Sequence, residues 1–132
     1  RSLVRTIASR KGIRIAKWLG DGAMLVAVEP ETATEAIMEM LESLAQSEAP
    51  LELRAGLASG PVLLVDGEDY LGHAVNMASR LCDRAQPGEV LATSSMITSL
   101  MVNTPSTPIG EHQIKGFKEP IEIVRLTLPG KA

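Results

Sequence analysis

Apolar residues in this chain recur in two rhythms that replace one another along its length, every second residue in some stretches and every third or fourth in others. A period of two belongs to half-buried strands and a period near 3.6 to amphipathic helices, so the chain must mix both. Ile13, Ile15 and Lys17 alternate with Arg14, Ala16 and Trp18, and Ala23 to Val28 is a second apolar run. Leu19-Gly20-Asp21-Gly22 between them is a turn signal, so residues 13–28 are expected to form a hairpin with Asp21 at its tip. Thr32 with Glu35 three residues on reads as a capping box. Ala33, Ile37, Met40, Leu41 and Leu44 follow at helical spacing, which predicts a helix over 32–45.

The same reading continues to the end. Leu51, Leu53, Ala55 and Leu57 alternate with Glu52 and Arg54 as a half-buried strand, Ser59-Gly60-Pro61 turns the chain, and Val62 to Val65 returns. Leu71, Val75, Ala78 and Cys82 predict a helix over 71–85 that Pro87-Gly88 ends. Val90 to Ala92 reads as a short strand, then a short helix capped by Thr93 or Ser94, then a loop over 103–108. Glu111 to Ile114 and Ile121 to Leu126 read as a closing strand pair around Lys115-Gly116-Phe117, and Ser2 to Arg10 as the tail of a helix. The expected fold is α+β, an antiparallel-rich sheet with helices packed on one face.

The length of 132 residues suits one domain, spanning 1–132. Trp18, Tyr70 and Phe117 are the only large aromatics, so the core must be aliphatic. A net charge of −3 offers no basic face for nucleic acid. The single cysteine, Cys82, excludes an internal disulfide and fits a reducing compartment. No signal peptide and no bilayer-length apolar run is seen. This segment is therefore expected to be cytoplasmic and free of membrane contact, whether or not the parent chain carries an anchor elsewhere.

Two places hold polar chemistry. Asp21, at a tight turn, presents its oxygens to solvent, which suits a hard divalent cation; equally, Asp-Gly is simply a good turn dipeptide. Asn76 and Arg80, four apart, share a helix face, with Gly72 one turn earlier leaving room for a ligand. An arginine held there offers planar donors to phosphate oxygens; the plain alternative is a solvated face with Arg80 paired to Asp83. His73 and His112 read as surface residues, Cys82 as packing, and Met38 and Met40 as helix-face residues. The glycines match neither a Rossmann nor a P-loop pattern.

Longer runs carry more. Lys17-Trp18-Leu19-Gly20-Asp21-Gly22-Ala23-Met24 resembles the K-x-x-G-D-x-x-M hairpin of class III adenylate and guanylate cyclases. Arg54-Ala55-Gly56-Leu57-Ala58-Ser59-Gly60 resembles their R-x-G strand, and the run from Asp69-Tyr70-Leu71-Gly72 through Val75-Asn76 to Arg80-Leu81 resembles their D-Y-x-G…V-N…R-L segment. Pro87-Gly88-Glu89-Val90 and Ile114-Lys115-Gly116-Phe117 match two further landmarks in order. The resemblance runs from about Gly12 to Leu126, is nearest the bacterial type, and implies the ferredoxin-like, palm-type cyclase fold.

The resemblance implies an adenylate cyclase that converts ATP to 3′,5′-cyclic AMP and pyrophosphate. Two ions of Mg²⁺ or Mn²⁺ assist, and Asp21 matches one of two metal-holding aspartates. Lys17 and Asp69 match the adenine-reading pair, Asn76 the ribose-orienting residue, and Arg80 the residue that stabilises charge at the α-phosphate. Lys115, or Lys118 near it, matches a triphosphate contact. In the family the site lies between two domains, so a head-to-tail homodimer with shared sites is implied. Nothing before Gly12 matches the family's first metal aspartate, or the strand that carries it. The piece as it stands is therefore expected to lack a central strand and to be inactive alone. The alternative is a non-catalytic cyclase-like module that binds nucleotide or only dimerises.

Overall fold

A computed structural model of the chain describes residues 2–20, 22–46, 53–65, 69–98 and 104–128, with backbone alone at 64, 65 and 69. Helix α1 (Ser2–Lys11) closes where the amide of Ile13 donates to the Ala8 carbonyl at 2.8 Å. The chain then enters the expected hairpin, β1 (Arg14–Leu19) antiparallel to β2 (Gly22–Val26). Ile7 and Ala8 of α1 bury against Ile13, with Ile15, Leu25 and Ala27 packed around them. Arg5 of α1 lies 5.1 Å from the centre of the Trp18 ring, a cation–π contact that holds the hairpin to the helix.

Helix α2 (Pro30–Ala45) starts earlier than the capping-box reading placed it. Glu29 is the residue before the first turn, and no side chain caps it. Proline at the helix start has the right φ and lacks only an N–H that would be unsatisfied there, so Pro30 opens the helix and Thr32 falls inside it. Two sides of α2 are buried. Ala36 and Met40 face α1 and the hairpin, and Met38 faces the sheet with Ala33, Ile37 and Leu41 beside it.

The main sheet has the order β3-β6-β8-β7, made of β3 (Ala55–Leu57), β6 (Val90–Thr93), β8 (Ile121–Leu126) and β7 (Ser106–His112). Strand β3 runs parallel to β6, and the other pairings are antiparallel. Among the described residues this sheet shares no backbone ladder with the hairpin. Strand β3 is shorter than the alternation over 51–57 predicts; residues 51 and 52 lie outside the described ones. The segment after the 59–61 turn does not return along β3. It forms β4 (Leu63–Val65), which pairs with β5 (Asp69–Leu71) in a separate ribbon.

The α+β class and the antiparallel-rich sheet are as expected, with one difference in layering. Ala55, Leu57, Val90, Ala92, Val124 and Leu126 point to the α2 side. Leu91 and Ile123 point to the other side, where helix α3 (His73–Arg84) covers them with Met77 and Leu81. Side chains alternate across a strand, so the two helices lie on opposite faces of this sheet. The buried stripe of α3 is also not the one expected. Met77, Leu81 and Ala85 just beyond the helix are buried, whereas Leu71 belongs to β5 and is exposed. The short helix after β6 is a single 3-10 turn, Ser94–Met96. Thr93 precedes it, but its hydroxyl meets the Ser95 hydroxyl at 3.0 Å rather than capping the turn. Strand β7 takes in residues 106–108, read above as loop. Pro108 is tolerated because β7 is the edge strand and the register shifts between Pro108 and Gly110.

Candidate active site

Lys17 owes its orientation to a break in strand alternation. Ile15 pairs with Leu25, but Lys17 pairs with Met24, so one strand spends two residues where the other spends one. This bulge at Ala16 turns Lys17 off the face that Ile15 and Leu25 bury, and returns Trp18, opposite Ala23, to the α1 side. The regular alternation of Ile13, Ile15 and Lys17 read from the sequence stops at that point. Lys17 is exposed; Asp21, expected at the hairpin tip, lies outside the described residues.

Strand β5 feeds directly into α3. Asp69 opens the strand, opposite Val65, and Gly72 is the residue before the first turn of the helix. The room above Gly72 is filled by the chain's own backbone. A Cβ built there would stand 2.7 Å from the Pro61 carbonyl oxygen. The absent side chain thus makes space for the 61–62 segment rather than for a ligand. Asn76 and Arg80 are both exposed, while Met77 and Leu81 beside them are buried in the core. The helix therefore presents an amide and a guanidinium along one line, backed by a rigid apolar seat.

Lys115 lies in the turn after β7 and is exposed. The amide of Phe117 donates to the Ile114 carbonyl at 3.0 Å and closes that turn. The Phe117 ring packs edge-on against His73, centroids 5.8 Å apart at 60°, so the turn docks at the start of α3. Asp69 thus opens β5, Asn76 and Arg80 stand on α3, and Lys115 lies in the turn whose Phe117 ring packs at the start of that helix. Lys17 rides on a hairpin held by α1. Nothing in the sequence singled out Phe117 as the link, because an aromatic beside a glycine turn carries no signal of where its ring lands.

Two other side chains are more engaged than their sequence suggests. His112 accepts from an Arg84 guanidinium nitrogen at Nδ1, 3.0 Å, and donates from Nε2 to the Ile109 carbonyl at 2.8 Å. Arginine can only donate and a carbonyl can only accept, which assigns a neutral ring protonated at Nε2. Cys82 donates to the Arg54 carbonyl at 3.7 Å. Burial pushes its thiol pKa up, with Asp83 adding to the shift, while the Arg54 guanidinium and the Gly56 backbone oppose it. An open groove of about 510 Å³ lies at the far end of α3, lined by Arg84, Gln86, Glu89 and Arg125. Its arginines are already engaged, Arg84 with His112 and Arg125 with Glu89 at 2.9 Å.

Among the described residues no three His, Cys, Asp or Glu side chains converge on one point, and none of the helices is long and apolar enough to cross a membrane.

The family model of the adenylate and guanylate cyclase catalytic domain matches residues 3–127. An uncharacterized Mycobacterium tuberculosis protein is 35% identical over 118 residues, 89% of this chain and 31% of its own length. A Streptomyces coelicolor adenylate cyclase is 34% identical over 105 residues, 80% of this chain and 27% of its own length. This chain thus spans a third or less of each of those two relatives. The crystal structure of an adenylate/guanylate cyclase/hydrolase from Silicibacter pomeroyi aligns at a TM-score of 0.85 with 27% identity, covering 99% of this chain and 81% of that one. The match of a family model to nearly every residue, together with the order of strands and helices, means that this chain belongs to the class III adenylate and guanylate cyclase catalytic domains.

Proposed function

We propose that the domain cyclises ATP to 3′,5′-cyclic AMP and pyrophosphate at sites shared by two copies arranged head to tail. The ribose 3′-hydroxyl oxygen attacks the α-phosphorus and gives up its proton to water, the bond to the bridging oxygen of the β-phosphate breaks, and pyrophosphate leaves. Lys17 donates to the adenine ring and Asp69 accepts from its amino group; guanine presents the opposite pattern at those edges. Asn76 orients the ribose. Arg80 donates to the α-phosphate oxygens as charge builds there. Lys115 meets the outer phosphates. Asp21 of the second copy would hold divalent metal, and two ions of Mg²⁺ or Mn²⁺ would supply charge neutralisation and a lowered hydroxyl pKa when bound.

The observation that carries this reading is the exposed line of Asn76 and Arg80 on a helix whose other side is locked into the core. The adenylate cyclase name of the Streptomyces relative favours ATP over GTP. The test is complementation between two dead variants, Asp21→Asn and Arg80→Ala, in the full chain. If the sites are shared, an equal mixture regains about a quarter of wild-type activity, because half of random dimers are mixed and each holds one intact site. A mixture as inactive as its components, with each variant still dimeric, would refute the shared site. Absence of cyclic AMP from the unaltered full chain with either metal would favour the non-catalytic module.

A further inference from the structure

The turn that carries Lys115 is held from two sides. Gly116 adopts φ +93° within it, a conformation that residues with a Cβ rarely take. Gln113 stands just before the turn and reaches across it. Its side-chain nitrogen donates to the Phe117 carbonyl at 2.7 Å and lies 3.4 Å from the Lys118 carbonyl. Both acceptors are carbonyl oxygens, so only the NH₂ end of the amide fits there. On the other side, the Phe117 ring rests on His73. His73, Asn76 and Arg80 stand at i, i+3 and i+7 of α3 and so share one face. The turn is therefore fastened to the head of the line of side chains assigned above to ribose and α-phosphate.

We propose that Gln113 is a positioning residue that pre-sets the Lys115 turn for the outer phosphates of the nucleotide. The proposal rests on the assignment of Lys115 to the triphosphate. A lysine ammonium on a flexible stem loses much freedom on binding, and a turn already pinned in place reduces that loss. Outer phosphates held alike in ground and transition states affect KM more than kcat.

The test is a double-mutant cycle in the full chain with Gln113→Ala, Lys115→Ala and both together, plus Gln113→Glu. ATP kinetics, titration with the non-cyclisable analogue 3′-deoxy-ATP, and Tm are measured for each. Gln113→Ala is expected to raise KM and the Kd of the analogue about threefold to tenfold with kcat and Tm held. Gln113→Glu is expected to be worse, since a carboxylate would face two carbonyls. On top of Lys115→Ala, the Gln113 change should add nothing. An equal loss in both backgrounds, or no loss in either, overturns the proposal while leaving Lys115 in place. A Lys115→Ala variant indistinguishable from wild type overturns the Lys115 assignment and this proposal with it.

Discussion

Gly56 of β3 lies directly against the backbone of Ala78 in α3. A Cβ built on Gly56 would run into the Ala78 carbonyl oxygen and the Cys82 amide nitrogen, and would stand 2.9 Å from the Leu81 Cβ. Strand and helix therefore touch backbone to backbone, and the seat of the Asn76–Arg80 line depends on a missing methyl. Gly56→Ala is expected to destabilise the domain by about 1–3 kcal/mol, as overpacking does, since the opposing atoms are backbone and cannot rotate away. A thermal melt checks this; an unchanged Tm would show that α3 can lift off the sheet at no cost.

Arg80 is exposed, so its removal should spare the fold and strike the chemistry. Arg80→Ala is expected to lower kcat by about 10²–10³ with Tm unchanged. Arg80→Lys should recover little, because a single ammonium does not reproduce the planar fork. Steady-state kinetics beside a melt separates this from general damage.

Lys17 and Asp69 are assigned to the base, so their loss should erode choice more than speed. Lys17→Ala and Asp69→Ala are each expected to reduce the ratio of kcat/KM for ATP over GTP by about tenfold or more, as one base-edge hydrogen bond is lost. Competition between the two nucleotides measures the ratio directly. An unchanged ratio in both variants would remove the adenine assignment.

Cys82 makes a prediction about pH. Its folded pKa is raised, mainly by burial, so the fold favours the protonated thiol. That contribution is complete below the unfolded cysteine value of about 8.5 and is lost as pH climbs through the higher folded value. Tm should fall above about pH 8.5, and Cys82→Ala should blunt the fall. At neutral pH a thiol-disulfide reagent should label native Cys82 more slowly than the unfolded chain.

Much of this was legible in the residues, and the misses have identifiable physics. The hairpin over 13–28 was clear because an alternating run and a second apolar run flank a glycine-rich turn; the Ala16 bulge was not, since a bulge changes pairing without changing composition. The start of α2 went to Thr32 because a capping box competes with proline at a first turn, and Pro30 wins by geometry. The expected stripe of α3 starts at Leu71, which sits in a strand; the buried stripe is Met77, Leu81 and Ala85, four residues apart. The second helical layer was written in Val90-Leu91-Ala92, three buried residues in a row, a mark of a strand covered on both faces. That Asn76 and Arg80 share one face of α3 was readable from spacing alone, and the chemistry proposed for them comes from the ordered motifs. Gln113 and Phe117 were invisible, because their partners are backbone carbonyls and a ring that only folding brings near.

Lys17 and Arg80 are anchored to the rest of the molecule in different ways. Arg80 stands on a helix clamped to a four-stranded sheet, whereas Lys17 stands on a two-stranded ribbon joined to the body by side-chain packing on α1 and α2. Among the described residues, then, a push or twist on α1 would reach the Lys17 ribbon through the Ile7, Ala8 and Arg5 contacts without passing through the sheet that seats Arg80.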